Sequence, residues 1–204
     1  MTWTAPGPYA ARFSLPLCLQ IFAIIQRDSP AALAYFGTLD PPYVTLDPIA
    51  EYVFSPKKLQ QFPALRITPV SEPFDEETNG ALSYIARIFC SIGVINQDPD
   101  VVGMLILKYV QAINSILNQY SGTSSNVADF YTALPLTLPF LTPADSVSSS
   151  PTPGGLLTVP LAYGSVQKVW VASQNYNEIG QRGNSFSASA TLDIIVERTE
   201  IQNV

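Results

Sequence analysis

Residues 62–95 read FPALRITPVSEPFDEETNGALSYIARIFCSIGVI, and this stretch decides the fold. In residues 62–70, Leu65 and Ile67 alternate with polar neighbours, which is typical of a strand with one buried face. Asn79-Gly80 is a strong two-residue turn signal. Residues 81–95 alternate again as the return strand. The stretch therefore predicts a long antiparallel hairpin with an acidic, protruding tip at residues 71–80.

A second strand pair closes the chain. Residues 165–179 place Val169 and Val171 opposite Trp170, and residues 185–201 alternate apolar and small polar side chains over their length. A turn is predicted at residues 180–184, where two glycines lie. This pattern is typical of antiparallel strands that bury one face and expose the other.

Helices are predicted on both sides of the first hairpin. Ser14 and Pro16 indicate a helix over residues 15–27, and Asp28-Ser29-Pro30 indicates a restart of a second, short helix that ends at Gly37. Asp98-Pro99 begins a longer helix that runs to about Tyr120. Its apolar stripe is predicted to be buried, with Lys108, Gln111, Ser115 and Asn118 on the other side; the stripe comprises Val102, Leu105, Ile106, Tyr109, Ile113, Ile116 and Leu117.

The predicted order of elements is αα-ββ-α-ββ. It indicates an α+β fold with a four-stranded, mainly antiparallel sheet and helices packed on one face. We expect one domain over residues 1–204, with long Pro-rich loops at residues 40–63 and 121–160, because many of the 18 prolines cluster there. A loop of that length usually contacts something else.

The composition argues against several classes of function. The chain has a net charge of −6, only 10 Lys and Arg residues, and no basic run, so specific nucleic-acid binding is not expected. Histidine is absent, which removes Ser-His-Asp and Cys-His catalysis and histidine zinc sites. Cys18 and Cys90 each lie in an apolar run and are predicted to be buried thiols. Because no glycine-rich phosphate loop occurs either, we expect no enzyme, cofactor or metal.

The N-terminus carries no basic segment typical of a signal peptide. The most apolar stretch, residues 15–25, is much shorter than the roughly 20 residues that span a bilayer. We therefore expect a soluble protein, made in a reducing cytoplasm, that does not enter a membrane.

Glu72, Asp75, Glu76 and Glu77 form the one concentration of carboxylates in the sequence. A pair of them could in principle act as acid and base, as in glycosidases. Carboxylates on a hairpin tip are well hydrated, however, and lack the buried environment that shifts a pKa. A solvated hairpin tip is the favoured interpretation.

The order of elements resembles that of the tail terminator and neck (head-to-tail completion) proteins of tailed bacteriophages. Those proteins combine an N-terminal helix, a hairpin, a helix across the sheet and a final strand pair. The resemblance is one of topology and covers residues 62–118 and 166–201. It is carried by FPALRITPVSEPFDEETNGALSYIARIFCSIGV, DPDVVGMLILKYVQAINSIL, VQKVWVASQNYNEI and SFSASATLDIIVERTEI.

The resemblance implies a structural virion protein at the head–tail junction. Its members form rings, usually hexamers, that cap the tail tube and join it to the connector. The genome passes through the lumen without specific binding, and Glu72, Asp75, Glu76 and Glu77 would then face the lumen and repel DNA.

Two alternatives remain open. The chain could be another virion subunit, of the tail tube or baseplate, which would polymerise helically instead of closing a ring. It could also be a small-molecule-binding α+β domain, with a pocket lined by Trp170, Tyr84 or Tyr109.

Overall fold

The computed structural model describes residues 14–53, 61–71, 74–78, 81–121, 135–137, 156–158 and 165–201. Two helices occur in this part of the chain, α1 (Ser14–Thr38) and α2 (Pro99–Asn118). The strands are β1 (Glu51–Val53), β2 (Ala64–Ser71), β3 (Phe74–Thr78), β4 (Ala81–Asn96), β5 (Pro135–Thr137), β6 (Leu156–Thr158), β7 (Ser165–Tyr176), β8 (Gly180–Arg182) and β9 (Ser185–Ile201).

The main sheet has the order β1-β2-β4-β9-β7, with β3 paired to β4 and β8 paired to β9. All pairs are antiparallel except β1 with β2. The predicted α+β class is confirmed. The predicted four-stranded sheet is wrong for two reasons. One arm of each predicted hairpin is split into two strands, β2 and β3 in the first hairpin and β7 and β8 in the second. In addition, β1 adds a parallel strand from the predicted loop at residues 40–63.

The predicted order αα-ββ-α-ββ is also wrong, because α1 is one helix that contains Pro30. Both groups that were expected to cap a second helix have partners elsewhere. The Asp28 carboxylate accepts from Arg27 at 2.7 Å and from Gln119, at the end of α2, at 3.2 Å. The Ser29 side chain is hydrogen-bonded to Tyr52. Since these tertiary contacts occupy the capping groups, the chain stays helical through the proline.

The first half of α1 is buried on all sides over residues 17–25. A helix that is apolar all round needs neighbours on more than one side. α1 contacts α2, β2 and β5. Strand β5 pairs with β6 in a separate two-stranded sheet, and both strands lie within the segment predicted as a loop at residues 121–160. Part of that segment therefore has regular structure and packs on α1.

α2 matches its prediction closely. Asp98 caps it, with its carboxylate accepting from Asp100 N at 2.9 Å, and Pro99 is the first helical residue. The predicted apolar stripe is buried except for Leu105, which is half-buried. By length and composition α2 could also cross a membrane, but half of its most apolar window is buried inside this fold. It packs across β4, β9 and β7 and forms the core with α1.

Lys108 was predicted to lie on the exposed side of α2. This prediction is wrong, because Lys108 retains only 7% of its accessible surface. Its Nζ donates to the carbonyls of Phe36, Leu39 and Asp40 at 3.0, 2.7 and 3.1 Å. These carbonyls belong to the C-terminal end of α1, which has no basic residue in its own last turn. A cation from α2 thus satisfies carbonyls that the helix end leaves unpaired.

The segment that follows α1 folds back over both helices. Val44 N donates to the Gly37 carbonyl at 3.0 Å, and a Cβ at Gly37 would lie only 2.4 Å from the Val44 carbonyl oxygen. Tyr109 Oη donates to the Asp47 carbonyl at 2.7 Å. Glycine at position 37 and tyrosine at position 109 therefore fix residues 44–47 against the helical layer.

We expect Lys108→Met to lower the free energy of unfolding by about 2–3 kcal/mol, because three carbonyls at the end of α1 lose a charged donor while the side-chain volume is nearly kept. Urea unfolding followed by circular dichroism measures the change. Gln111→Met, at an exposed position of the same helix, is the matched control and should change stability by no more than about 0.5 kcal/mol. Equal urea midpoints for Lys108→Met and Gln111→Met would contradict the role of Lys108 in capping α1.

Candidate functional site

The predicted acidic site lies at a sheet edge and not on a turn. Asp75, Glu76 and Glu77 belong to β3, where Glu76 pairs with Ser83 and Glu77 with Leu82 of β4. The hairpin closes after them, since Thr78 pairs with Ala81 across Asn79-Gly80. The turn predicted at Asn79-Gly80 is therefore confirmed, and the acidic residues 75–77 lie in the strand that precedes it. Glu72 lies outside the described residues, as do the side chains of the other three.

The two faces of the main sheet differ sharply. On β4, Tyr84, Ala86, Ile88 and Cys90 point toward the helices and are buried, as the alternation predicted. The other face has no helix over it in the part of the chain that the structure describes, and we call it the open face. Its side chains on the four long strands are of mixed character: Arg66, Thr68, Ile85, Arg87, Phe89, Ser91, Lys168, Trp170, Thr191, Asp193, Ile195 and Glu197.

An ion pair joins the two central strands on the open face. The Arg87 guanidinium donates to both Asp193 carboxylate oxygens, at 2.6 to 3.0 Å. The Asp193 side chain is only 8% exposed, whereas that of Arg87 is 48% exposed. The hydrogen bond to Asp193 raises the pKa of Arg87 above its usual value. Arg87 also lies over the Phe89 ring, 5.3 Å from its centroid, so a buried carboxylate is held by a cation that faces solvent.

A second cation–aromatic pair lies on the outer strand β7. Lys168 Nζ is 4.7 Å from the centroid of the Trp170 ring. Trp170 pairs with Ile195 of β9, which in turn pairs with Arg87 of β4. One row across the open face therefore carries a tryptophan, an isoleucine and an arginine. Such a mixture of aromatic, aliphatic and arginine side chains is typical of protein contact surfaces.

β7 is the last strand of the sheet and presents its edge over its second half. Residues 172–176 are all exposed, and Tyr176 retains 46% of its surface. The chain then continues through β8 to the tight connection at Gly183-Asn184, where Gly183 has a φ of +60°. The predicted turn at residues 180–184 is thus shorter than expected, since Gly180 to Arg182 form a strand. We call residues 171–182 the outer arm.

The aromatic residues proposed for a ligand pocket do not come together. Tyr84 is buried on the helix side of the sheet, whereas Trp170 lies on the open face. Tyr109 lines a cavity of about 240 Å³ beneath residues 44–47, where its hydroxyl is bound to the Asp47 carbonyl. A larger cavity of about 370 Å³ lies between α1 and residues 44–48 and is lined mainly by apolar groups such as Leu33 and Leu46.

Burial raises the pKa of one cysteine and of two tyrosines on the helix side of the sheet. Cys18 and Cys90 are both fully buried thiols, and burial raises the pKa of Cys90. Burial also raises the pKa of Tyr52 to about 12, and it raises the pKa of Tyr109. Among the described residues no group of three or more Cys, Asp or Glu side chains is placed to hold a metal ion.

Sequence reasoning missed the Arg87–Asp193 pair and the exposed outer arm. The alternation of residues 81–95 and 185–201 does place both charges on the polar side of their strands. Their pairing depends on the register between two strands about 100 residues apart, however, and no local pattern encodes that register.

No protein-family model matches this chain, and no curated protein matches it in sequence.

We expect Arg87→Leu to destabilise the protein, because it leaves the buried Asp193 carboxylate without its cation. The double variant Arg87→Leu/Asp193→Leu should recover stability relative to Arg87→Leu, since it removes the unpaired charge as well. Thermal unfolding at neutral pH compares the two with the wild type. A double variant that is less stable than Arg87→Leu would contradict the assignment.

Proposed function

We propose that this protein is a structural subunit of a virion, which forms a ring at the head–tail junction, caps the tail tube and joins it to the connector. The observation that supports the proposal is the construction of the sheet: α1 and α2 pack on one face, whereas in the part of the chain that the structure describes no helix covers the other face and no strand pairs with the outer edge of β7. Such a subunit works through its contacts with copies of itself, and this sheet offers an edge of the kind that such contacts use.

A closed ring requires a contact between two different surfaces of the subunit, because identical surfaces produce only a two-fold pair. The two sides of this sheet are different. One ends in β7 and the outer arm, and the other in β1, β2 and β3. This difference supports a head-to-tail arrangement. Six copies are the number that the resemblance to terminator and neck proteins suggests.

The proposed partners are further copies of the chain, the tail-tube subunit and the connector or adaptor subunit. The parts of the Pro-rich segments 40–63 and 121–160 outside residues 44–47, β1, β5 and β6 are proposed to reach neighbouring subunits or an adjoining ring. The genome is proposed to pass through the lumen without specific binding, since the chain has a net charge of −6. The protein would be made in the host cytoplasm and reside in the virion.

Purified protein, alone and mixed with candidate tail-tube and connector subunits, should give closed rings of one size. Native mass spectrometry determines the number of copies, and negative-stain imaging shows whether the assembly closes. Filaments of variable length would favour a tail-tube subunit instead. A chain that remains monomeric with every partner would contradict the ring.

The acidic segment is proposed to contribute to the lumen wall. Replacing Glu72, Glu76 and Glu77 with Gln, and Asp75 with Asn, removes negative charge without adding positive charge. We expect virions that carry this variant to release DNA more slowly, because the wall repels the passing phosphates less. Ejection triggered in vitro measures the rate, and the double variant Gln111→Ala/Ser115→Ala, on the exposed side of α2, serves as a control that changes no charge. An unchanged rate would contradict the lumen assignment while leaving the ring intact.

A further inference from the structure

The outer arm carries an apolar patch on the helix side of the sheet. Tyr176 pairs with Ala190 of β9, which belongs to the buried core, and directly paired residues share a face. Ile179 reaches α2, because a Cβ at Gly103 would lie 3.5 Å from the Ile179 Cδ1 atom. Leu107, one turn further along α2, lies on the same side of that helix. Tyr176, Ile179 and Leu107 each retain between 45% and 49% of their surface, and we call these three residues the apolar knob.

The cavity between α1 and residues 44–48 accepts apolar groups. Leu33 and Leu46 form part of its walls, and no charged side chain of the described residues lines it. Two of its hydroxyl groups already have partners. The Ser29 side chain is hydrogen-bonded to a tyrosine of β1, and Thr38 Oγ1 donates to a carbonyl of its own helix at 3.0 Å. A polar ligand would therefore lose its hydration in this cavity without gaining equivalent hydrogen bonds.

The walls of this cavity are fixed by hydrogen bonds within the subunit. The segment over residues 44–47 is held at both ends, by the bond that Val44 N donates to α1 and by the bond that the segment accepts from Tyr109 Oη. Ala34 and Thr45 line the cavity and are themselves exposed, so the cavity opens to solvent. A preformed site of this kind binds its occupant with little loss of conformational entropy.

The volume of the cavity suits the side chains of the knob. An apolar protein cavity of roughly 150 Å³ can hold a benzene ring. The cavity beside α1 has a volume of about 370 Å³, which is more than twice as large. One aliphatic and one aromatic side chain therefore fit into it together, and Ile179 and Tyr176 supply one of each.

The knob and the cavity lie on opposite sides of the helical layer. An α-helix turns by about 100° per residue, so Gly103 and Leu107 lie on roughly the opposite side of α2 from Leu105 and Tyr109. Leu105 and Tyr109 line the smaller cavity together with residues 44–45, which also line the larger one. The larger cavity is therefore on the α1 side of the layer, whereas the knob is on the β7 side. A ring contact joins two such unlike surfaces.

The two surfaces also lie at a similar height along α2. Residues 44–45 share the smaller cavity with residues between 101 and 109 of α2, so this part of the larger cavity's wall lies level with that part of the helix. The knob lies against Gly103 and includes Leu107, which fall within the same stretch of α2. A side-by-side repeat of the subunit thus brings the knob of one copy level with the cavity of the next.

We infer that a second copy of this chain occupies the cavity, with Ile179 and Tyr176 of one copy inserted between α1 and residues 44–48 of the next. This inference rests on the proposed ring and specifies its contact. The contact covers three large apolar side chains of the knob and the apolar walls of the cavity, which otherwise face water. Because it joins the β7 side of one copy to the α1 side of the next, it repeats head to tail.

Two charge variants test the two sides of the contact separately. Ile179→Asp places a carboxylate in the knob, and Ala34→Glu places one at the mouth of the cavity. Both positions are exposed, so each subunit should keep its fold, as judged by circular dichroism. Each variant should raise the concentration needed for ring formation by about tenfold or more, because the contact would bury an unpaired carboxylate. Ser115→Glu, at an exposed position of α2, adds the same charge and should assemble like the wild type.

An equal mixture of Ile179→Asp and Ala34→Glu subunits retains one intact knob and one intact cavity. Native mass spectrometry should therefore find dimers that do not grow further. Rings in the mixture, or monomers only, would overturn the contact. Rings that form from Ile179→Asp alone or from Ala34→Glu alone at wild-type concentrations would also overturn it, while leaving the proposed ring standing. If the wild type forms no oligomer with any proposed partner, the proposed function and this inference both fail.

The fluorescent dye anilinonaphthalene sulfonate, which binds exposed apolar surface, tests whether the cavity is filled in the ring. Ile179→Asp monomers have an open cavity and should give more fluorescence per subunit than the double variant Ile179→Asp/Ala34→Glu, in which the mouth is blocked. Wild-type rings should give as little fluorescence as the double variant, because the knob of the neighbouring copy fills the cavity. Wild-type rings that bind the dye as strongly as Ile179→Asp monomers would overturn the inference.

Discussion

The ammonium group of Lys108 joins the two helices and so holds the layer that covers the sheet. Its three hydrogen bonds end on the carbonyls of Phe36, Leu39 and Asp40 at the C-terminal end of α1, where the last turn of a helix leaves carbonyls without intrahelical partners. A buried lysine is tolerated only if its charge finds such partners. Because the same end of α1 leads into residues 43–50, which Gly37 and Tyr109 hold in place, this contact fixes the helical layer and the segment that follows it.

With that layer in place, the sheet has one sealed face and one open face. β4 and β9 pair over 16 positions and form the centre of the sheet. Between residues 84 and 94 of β4 and between residues 188 and 196 of β9, the inward side chains are apolar and buried, whereas the outward side chains include the Arg87–Asp193 pair. The ion pair ties the two central strands together on the side that has no helix. The ion pair therefore adds a side-chain link between the two central strands, and within the described residues only the outer strands have edges that could pair with another strand.

The sequence predicted the elements whose signals are local. The alternation in β4 and β9 and the Asp98-Pro99 cap of α2 placed these elements within a few residues of their observed bounds. The errors have a common cause. Residues whose local sequence pattern predicts one role make tertiary contacts that give them another. Asp28 and Ser29 bind groups from other elements and so do not begin a helix at Pro30. Lys108 follows the polar pattern of α2 but is drawn into the core by the carbonyls of α1. The acidic candidate site was identified as a cluster, yet its place on an edge strand depended on pairing with β4.

The edges of this sheet are interrupted at several points, so that no long stretch of backbone is left for pairing with another strand. Tyr120 occupies the first part of the β7 edge, the bulge near Ala172 interrupts it, and Pro69 removes a donor from β2. Natural sheets use such interruptions to prevent uncontrolled growth from edge to edge. Beyond the bulge, the stretch of β7 without a second partner among the described residues is about one short strand long. An edge interrupted in this way cannot extend as a long, regular ladder, which protects this sheet against open-ended growth.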